Sequence, residues 1–456
     1  MSAISDFIGV SARTNVEEAI AKARSNDSFH AILSFTEARA LERADMVDRG
    51  EITGSLAGVP FIAKDNFLTL GGTTTAASKM LENFQAPLQA TAIEKLEAAG
   101  AICIGKANLD AFAHGGSTEN SAFGPTKNAI DQERVAGGSS GGSAVSVALG
   151  IVPFALGTDT GGSIRQPASF NGVVGIKPTY GTVSRYGVVA MASSTDTIGV
   201  LTSNTHDANL VMDIMSGQDT KDMTTLPDFF TPAKLEGKKR IGVIKEAMTD
   251  DVDADVRNVT NDYIEKLRAA GHEVEEVSLS LLKYALAVYY IVVPAEISSN
   301  LGRYDGIRYG HRAQATRLTE LYGSSRDEGF MTENKRRIMI GSYVLSSGFF
   351  DAYYLQAQKV RTLLINEFND LFETFDVLVA PVAPTPAFKI GENASDPIKM
   401  YLADVMTVPA SLAGLPAMSV PAGVNQQGLP IGVQLIGKRK DDAVLLALAE
   451  SMEEKA

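Results

Sequence analysis

The chain has 456 residues, of which 45% are hydrophobic and 21% are charged, and its formal net charge at pH 7 is −13. This length exceeds the ~250–300 residues at which one hydrophobic core usually stops growing, so we expect a large domain with insertions or two closely packed subdomains. The acidic balance excludes a nucleic-acid-binding face that covers the whole molecule, because phosphate contacts require clustered lysine and arginine.

The sequence predicts a cytoplasmic protein without membrane contact. It contains one cysteine, which excludes an intrachain disulfide framework and fits a reducing compartment. The first residues lack the pattern of a signal peptide, and no apolar run reaches the ~18 residues of a membrane span. The five histidines have no metal-ligand spacing, so we expect no metal site.

Strands and helices alternate along the chain without an internal repeat. This order predicts an α/β fold around a mixed sheet, in one domain over residues 1–456 with a helix-rich part at about 281–375. The predicted helices lie within 15–50 (two) and at 91–99, 143–149, 163–170, 205–216, 252–270, near 401–412 and at 442–452. The predicted strands are 56–64, 101–105, 152–156, 240–244, 274–279, 377–380, 417–420 and 431–436.

Two glycine- and serine-rich runs enclose the short apolar segment in the middle of this order. Residues 137–143 read GGSSGGS and residues 157–163 read GTDTGGS. Glycine allows backbone N–H groups to approach a ligand closely. We expect Ser163 to begin a helix, where unpaired N–H groups and the helix dipole favour negative charge. A serine in that position has what an acyl-transfer nucleophile requires.

Three kinds of site are compatible with glycine-rich runs. A phosphate-binding loop requires G-x-x-x-x-G-K-[ST], and neither run is followed by that lysine. Residues 137–141 match the G-x-S-x-G elbow of α/β-hydrolases, but residues 131–136 are too polar for the preceding strand, and no histidine follows His311. The third is a serine–lysine enzyme, in which burial lowers the pKa of a lysine so that it serves as the base.

Lys64 is the candidate base, because it ends the apolar strand 56–64. Ser139 would then pass a proton between Lys64 and Ser163. Two structural interpretations remain open at this point. Lys64 could extend from the strand end to solvent, and the serines could only cap helices.

The two runs, with residues 164–168, resemble the amidase signature family. In that family a lysine, a bridging serine and a nucleophilic serine form the catalytic triad, and the two serines are 24 residues apart, as Ser139 and Ser163 are. The resemblance implies a large mixed β-sheet between helical layers. It also implies the following roles: Lys64 as base, Ser139 as bridging serine, Ser163 as nucleophile, and the backbone N–H groups of Thr160, Gly161, Gly162 and Ser163 as the oxyanion hole.

Further stretches resemble one branch of the family, the A subunits of the amidotransferases that act on Glu-tRNA(Gln) and Asp-tRNA(Asn). These stretches are 64–66, 116–124, 177–181, 295–300, 303–309, 336–341, 346–354 and 413–416. The resemblance implies that this chain hydrolyses glutamine and has no cofactor of its own. A B subunit would use the ammonia, with ATP and Mg²⁺, to amidate the aminoacyl-tRNA, which it would largely hold itself. A small C subunit would complete a heterotrimer.

Glutamine is a zwitterion, so its site needs a cation and an anion. The resemblance places Arg337 at the α-carboxylate, where a guanidinium binds in a bidentate manner, and Asp404 at the α-ammonium. It names Tyr289 as a further substrate-binding residue, although Tyr290 fits about as well. Without the resemblance, Arg337 and Asp404 would be read as ordinary surface charges of helices.

The chain departs from the branch near the expected substrate pocket. The branch usually reads Asp-Glu-Phe-Ala-Met-Gly where this chain has Ala111 and His114 within residues 110–115. Two other functions remain open on the sequence, a stand-alone amidase for another amide and a non-catalytic scaffold subunit. The sequence does not say which of the two aminoacyl-tRNAs is served.

Overall fold

The computed structural model describes residues 1–453. The strands in this range are β1 (Ile32–Phe35), β2 (Pro60–Lys64), β3 (Ile102–Ala107), β4 (Phe154–Asp159), β5 (Val174–Lys177), β6 (Thr197–Thr202), β7 (Arg240–Ile244), β8 (Glu273–Val277), β9 (Val377–Pro381), β10 (Ala417–Val424) and β11 (Pro430–Gly437). They form one mixed sheet in the order β1-β3-β2-β4-β6-β5-β10-β11-β9-β7-β8. The last three residues of the predicted domain lie outside the described range.

The helices of this range lie before, between and after the strands. They are α1 (Ala12–Ser25), α2 (Glu37–Asp48), α3 (Thr91–Ala98), α4 (Gly141–Ala148), α5 (Arg165–Asn171), α6 (Thr205–Met215), α7 (Ala254–Ala269), α8 (Leu282–Asn300), α9 (Leu318–Gly329), α10 (Thr332–Val344), α11 (Gln356–Leu371), α12 (Pro397–Leu402), α13 (Val408–Leu412) and α14 (Asp442–Glu453). A π-helical segment, Phe350–Leu355, precedes α11. None of these helices combines the length and the hydropathy that a membrane crossing requires.

The sheet separates two layers of apolar packing, as alternation along a strand requires. Along β2, Phe61 and Ala63 join the cluster that includes residues of α3, α6 and α14. Ile62, between them, joins the cluster that includes residues of α1, α2 and α4 on the opposite face. The prediction of an α/β fold with a mixed sheet between helical layers is therefore confirmed.

The parallel strands β2, β3 and β4 determine where the glycine- and serine-rich runs meet. β2 pairs in parallel with both neighbours. Parallel strands end at the same edge of a sheet, so the end of β2 at Lys64 lies beside the end of β4 at Asp159. The first run, 137–143, leads into the first turn of α4, and the second, 157–163, runs from the end of β4 towards α5.

Some predicted elements are wrong in detail. The strands β1, β5 and β6 were not predicted; β1 has only four half-buried residues between two helices, so its alternation is too short to recognise. The helix predicted near 401–412 is two short helices, α12 and α13, and Pro409 in the first turn of α13 favours a new start there. Helix α5 begins at Arg165 and not at Ser163, which lies in the turn before it.

Candidate active site

Lys64 is completely buried at the end of β2 and is surrounded by hydroxyl groups. Its Nζ donates hydrogen bonds to Ser139 Oγ at 2.7 Å, Ser140 Oγ at 2.9 Å and Thr158 Oγ1 at 2.9 Å. The lysine side chain therefore does not extend to solvent. It connects β2 to the first glycine- and serine-rich run and to β4.

Burial lowers the pKa of the Lys64 amine to about 7, because the charged form loses its hydration. The negative charges of Asp110, Asp159 and Asp196 oppose this shift. A pKa near neutrality gives an amine that can accept a proton from a hydroxyl group and return it.

Two other lysines are equally buried, and their contacts differ from those of Lys64. Lys106 on β3 pairs with Asp65 at 2.9 Å. Lys177 at the end of β5 donates to the Pro178 carbonyl at 3.0 Å, and burial lowers its pKa to about 7 as well. Of these three lysines, Lys64 is the one that contacts serine hydroxyls. Contact with Ser139, and not burial alone, singles it out.

The two glycine- and serine-rich runs touch through their backbones. The Ser140 N–H donates to the Ser163 carbonyl at 3.0 Å. A side chain just after the second run also contacts the first run, since the Gly138 N–H donates to Gln166 Oε1 at 2.9 Å. Ser139 is fully buried, whereas Ser163 is 8% exposed. Ser163 is thus the serine of the two that an incoming molecule can reach.

The turn that carries Ser163 is fixed by Asp159. This carboxylate accepts from the Gly162 N–H at 2.8 Å and from the Ile164 N–H at 3.2 Å, and it pairs with the buried Arg165 at 2.9 Å. The predicted oxyanion hole included Gly162, whose N–H is therefore already bonded. Among residues 1–453, no group accepts from the N–H of Gly161 or Ser163. Those two N–H groups are free to bind an oxyanion.

Both glycines of this turn are required by close neighbours. A Cβ on Gly161 would lie 2.7 Å from the hydroxyl oxygen of Tyr289. Gly162 has a φ of +138° and lies against Thr407, whose hydroxyl donates to the Gly161 carbonyl at 2.6 Å. Side chains from two distant segments therefore hold the turn in one conformation.

Arg337 on α10 is buried beside two aromatic rings, and it is not a surface charge. Its guanidinium carbon lies 5.3 Å from the ring centre of Tyr290 and 5.7 Å from that of Tyr401. Its Nε donates to Glu333 Oε1 at 2.8 Å, and Tyr401 donates to the same oxygen at 3.0 Å. The Nη groups are left without an acceptor among the described residues. They can bind a planar anion such as a carboxylate.

Asp404 lies between α12 and α13, beside the same site. Desolvation raises the pKa of its carboxyl group to about 8, and the charge of Arg337 opposes this rise. Gln166 Nε2 approaches Asp404 Oδ1 at 3.5 Å, so one glutamine side chain connects Asp404 to the backbone before Ser139. A cationic and an acidic group whose charges interact suit the two ends of an amino acid.

The two neighbouring tyrosines contact different parts of this site. Tyr289 lies against Gly161, whereas Tyr290 stacks on Tyr401 with ring centres 3.9 Å apart and faces Arg337. The sequence left open which of them binds substrate, and the structure places both beside residues predicted for the site. Tyr289 reaches the turn of Ser163 and Tyr290 reaches the arginine.

Sequence reasoning missed several contacting residues. Ser140 and Thr158 belong to the two runs and could have been proposed as further partners of a buried amine. Glu333 precedes Arg337 by four residues, a spacing at which opposite charges pair on a helix. No local signal points to Tyr401. Within residues 1–453 no group of His, Cys, Asp and Glu has an arrangement that could hold a metal ion.

Residues 14–446 match the sequence model of the family described as Amidase. The A subunit of the glutamyl-tRNA(Gln) amidotransferase of Thermosynechococcus vestitus is 52% identical over 437 residues, which cover 94% of this chain and 91% of that protein. The protein of the same name from Carboxydothermus hydrogenoformans is 53% identical over 422 residues, or 91% and 87% of the two chains.

Solved structures of amidase-family proteins are also similar to this chain. The crystal structure of the A subunit of the glutamyl-tRNA(Gln) amidotransferase of Thermotoga maritima has a TM-score of 0.83 and 39% identity, covering 100% of this chain and 95% of that one. A bacterial aryl acylamidase described as an amidase signature enzyme has a TM-score of 0.86 and 25% identity, covering 100% and 96%.

Proposed function

The chain belongs to the amidase family, and we propose that it is the glutamine-hydrolysing A subunit of a tRNA-dependent amidotransferase. The observation that carries the proposal is the contact of the Lys64 amine with the Ser139 hydroxyl at 2.7 Å, beside a reachable Ser163. The Arg337 and Asp404 pair supports glutamine as the substrate. Relatives about half identical to this chain are named A subunits of the glutamyl-tRNA(Gln) amidotransferase.

The proposed reaction begins when Ser163 Oγ attacks the side-chain amide carbon of glutamine. Its proton moves to Ser139, and Ser139 gives its own proton to the neutral amine of Lys64. The N–H groups of Gly161 and Ser163 stabilise the oxyanion of the tetrahedral intermediate. The proton then returns to the leaving nitrogen, ammonia departs, and a γ-glutamyl ester remains on Ser163. Water hydrolyses this ester to glutamate by the same proton path.

In the proposed complex the ammonia is used by a different subunit. A B subunit would bind ATP, Mg²⁺ and the aminoacyl-tRNA, namely Glu-tRNA(Gln) or Asp-tRNA(Asn), and a C subunit would complete a cytoplasmic heterotrimer. This chain would need no cofactor for its own step. Co-purification from the native host tests the assembly: B and C subunits should accompany the chain, and ammonia should be released from glutamine. A chain that purifies alone and hydrolyses other amides better would indicate a stand-alone amidase.

Arg337→Ala is expected to raise the KM for glutamine by about 100-fold or more, since it removes the charged partner of the substrate carboxylate. With γ-aminobutyramide, which is glutamine without its carboxylate, the variant should behave like the unchanged protein. Steady-state ammonia release from both substrates measures this. Arg336→Ala is the matched control, because Arg336 is the next residue, is only half-buried and also pairs with Glu333. Equal losses with both substrates would remove Arg337 from carboxylate recognition.

The pH profile should differ between two substrates. With glutaramate, which is glutamine without its ammonium group, kcat/KM should fall tenfold per pH unit below about 7, because protonated Lys64 cannot accept a proton, and should be level above it. With glutamine, kcat/KM should continue to rise up to about pH 8, since only ionised Asp404 pairs with the ammonium group. Identical profiles would contradict the role of Asp404, and a flat glutaramate profile would contradict that of Lys64.

A further inference from the structure

His114 is one of the two departures from the branch, and its ring is completely buried. Its Nδ1 lies 2.7 Å from Asn334 Nδ2 on α10. The orientation of that amide is fixed by two other contacts: Asn334 Oδ1 accepts from the Met331 N–H at 3.2 Å, and Nδ2 donates to the Ala111 carbonyl at 2.8 Å. Nδ1 of His114 is therefore an acceptor, and the proton of the neutral ring is on Nε2.

The Nε2–H of His114 has no hydrogen-bond partner among the described residues. Leaving a buried donor unsatisfied is unfavourable, and most such groups in native proteins have a partner. Burial, aided by the positive charge of Arg337, holds the pKa of this ring well below its usual value, so the ring is neutral. The protein thus keeps an unused neutral donor in its interior.

The position of the ring indicates which part of the proposed substrate site this donor can contact. Asn334, which fixes the ring, is one helical turn before Arg337 on α10. Two residues after His114, a Cβ on Gly116 would lie 3.4 Å from Asp404 Oδ1. The segment 114–116 therefore passes from the side of Arg337 to the side of Asp404, along the site where the two ends of glutamine are proposed to bind.

We propose that His114 Nε2–H is a second donor to the α-carboxylate of glutamine, beside the Nη groups of Arg337. A carboxylate has about four acceptor positions, so it can bind the guanidinium fork and the imidazole together. The inference rests on the proposed function, since it requires an amino-acid carboxylate at Arg337. It makes His114 a residue that determines substrate specificity in this protein.

Nitrogen NMR of the complex tests the donor without altering His114. With ¹⁵N-labelled histidine and the Ser163→Ala variant to prevent turnover, Nε2 of His114 should carry the proton in the free protein. Saturating glutamine or glutaramate should shift the Nε2 resonance, whereas γ-aminobutyramide should not. If glutamine binds and the resonance does not move, or if γ-aminobutyramide moves it as much, the inference is wrong while the proposed function stands. If neither glutamine nor glutaramate binds, the proposed function itself fails.

Two variants separate the donor from the packing role of the ring. His114→Asn keeps a polar group near the position of Nδ1, next to Asn334, but removes the Nε2 donor. His114→Gln places an amide donor near the position of Nε2. We expect His114→Asn to raise the KM for glutamine about tenfold with kcat little changed, and to leave γ-aminobutyramide unaffected. His114→Gln should recover much of this loss. Equal effects of the two variants, or equal losses with both substrates, would indicate a structural residue and overturn the inference.

Discussion

Ser163→Ala is expected to reduce ammonia release from glutamine by more than about 10⁴-fold, because it removes the proposed nucleophile while leaving Lys64 and Ser139 in place. The fold should be retained. Among the described residues the Ser163 hydroxyl bonds to no group, and its contact with the Ser140 N–H uses the backbone carbonyl, which alanine also has. Ammonia release by the assembled complex, with thermal unfolding measured alongside, checks both expectations.

Ser143→Ala is the matched control for this substitution. Ser143 lies in the first glycine- and serine-rich run, is fully buried, and donates to the Leu156 carbonyl at 2.9 Å. Its loss should cost about 1 kcal/mol of unfolding free energy and leave the activity nearly unchanged. An acylating probe should label the protein at Ser163 and fail to label Ser163→Ala. Full ammonia release by Ser163→Ala would refute the assignment of the nucleophile.

Lys64→Met is expected to reduce kcat by at least about 10²–10⁴-fold, the usual contribution of a general base, with little loss of stability. Methionine keeps most of the aliphatic stem but cannot accept a proton. No carboxylate within the described residues lies at ion-pair distance from Lys64, so its removal breaks no direct ion pair. Lys64→Ala should lose the same activity, with an additional cost in stability for the cavity. Activity in either variant would contradict the base assignment.

Lys106→Met provides the contrast, because Lys106 is equally buried on the neighbouring strand β3. Its removal leaves Asp65 buried without the partner that lies at 2.9 Å, which typically costs 3–5 kcal/mol. Denaturant unfolding should therefore show a large loss of stability for Lys106→Met and a small one for Lys64→Met. Equal losses in the two variants would mean that Lys64 is a structural residue like Lys106.

The local sequence indicated the candidate site residues wherever these residues lie in one continuous stretch. The two glycine- and serine-rich runs indicated Ser139, Ser163 and the oxyanion turn, since the glycines that such a turn needs are adjacent to the serines. The apolar strand before Lys64 indicated a buried amine. Long periodic segments, such as α7 and the helices between residues 281 and 375, were also found, because their hydrophobic spacing repeats over several turns.

Tertiary structure decided which of these groups act together. Three buried lysines lie in or at the end of apolar strands, namely Lys64, Lys106 and Lys177. Only the parallel arrangement of β2 and β4 shows that Lys64 contacts serine hydroxyls. The Gly162 N–H was expected to be free, but the Asp159 carboxylate folds back onto it. No pattern within the turn distinguishes Gly162 from Gly161 in this respect.

The sequence by itself determined the α/β fold class, and it predicted a serine–lysine site with a glycine-rich oxyanion turn. The proposed glutamine site was decided by the fold. Arg337, Asp404, Tyr290 and Tyr401 come from α8, α10 and the segment around α12, and His114 from a loop more than 200 residues before Arg337. Contacts over such separations depend on strand order and helix packing, which hydrophobic periodicity does not encode. For the same reason, only the tertiary structure shows that Nε2 of His114 has no hydrogen-bond partner among the described residues.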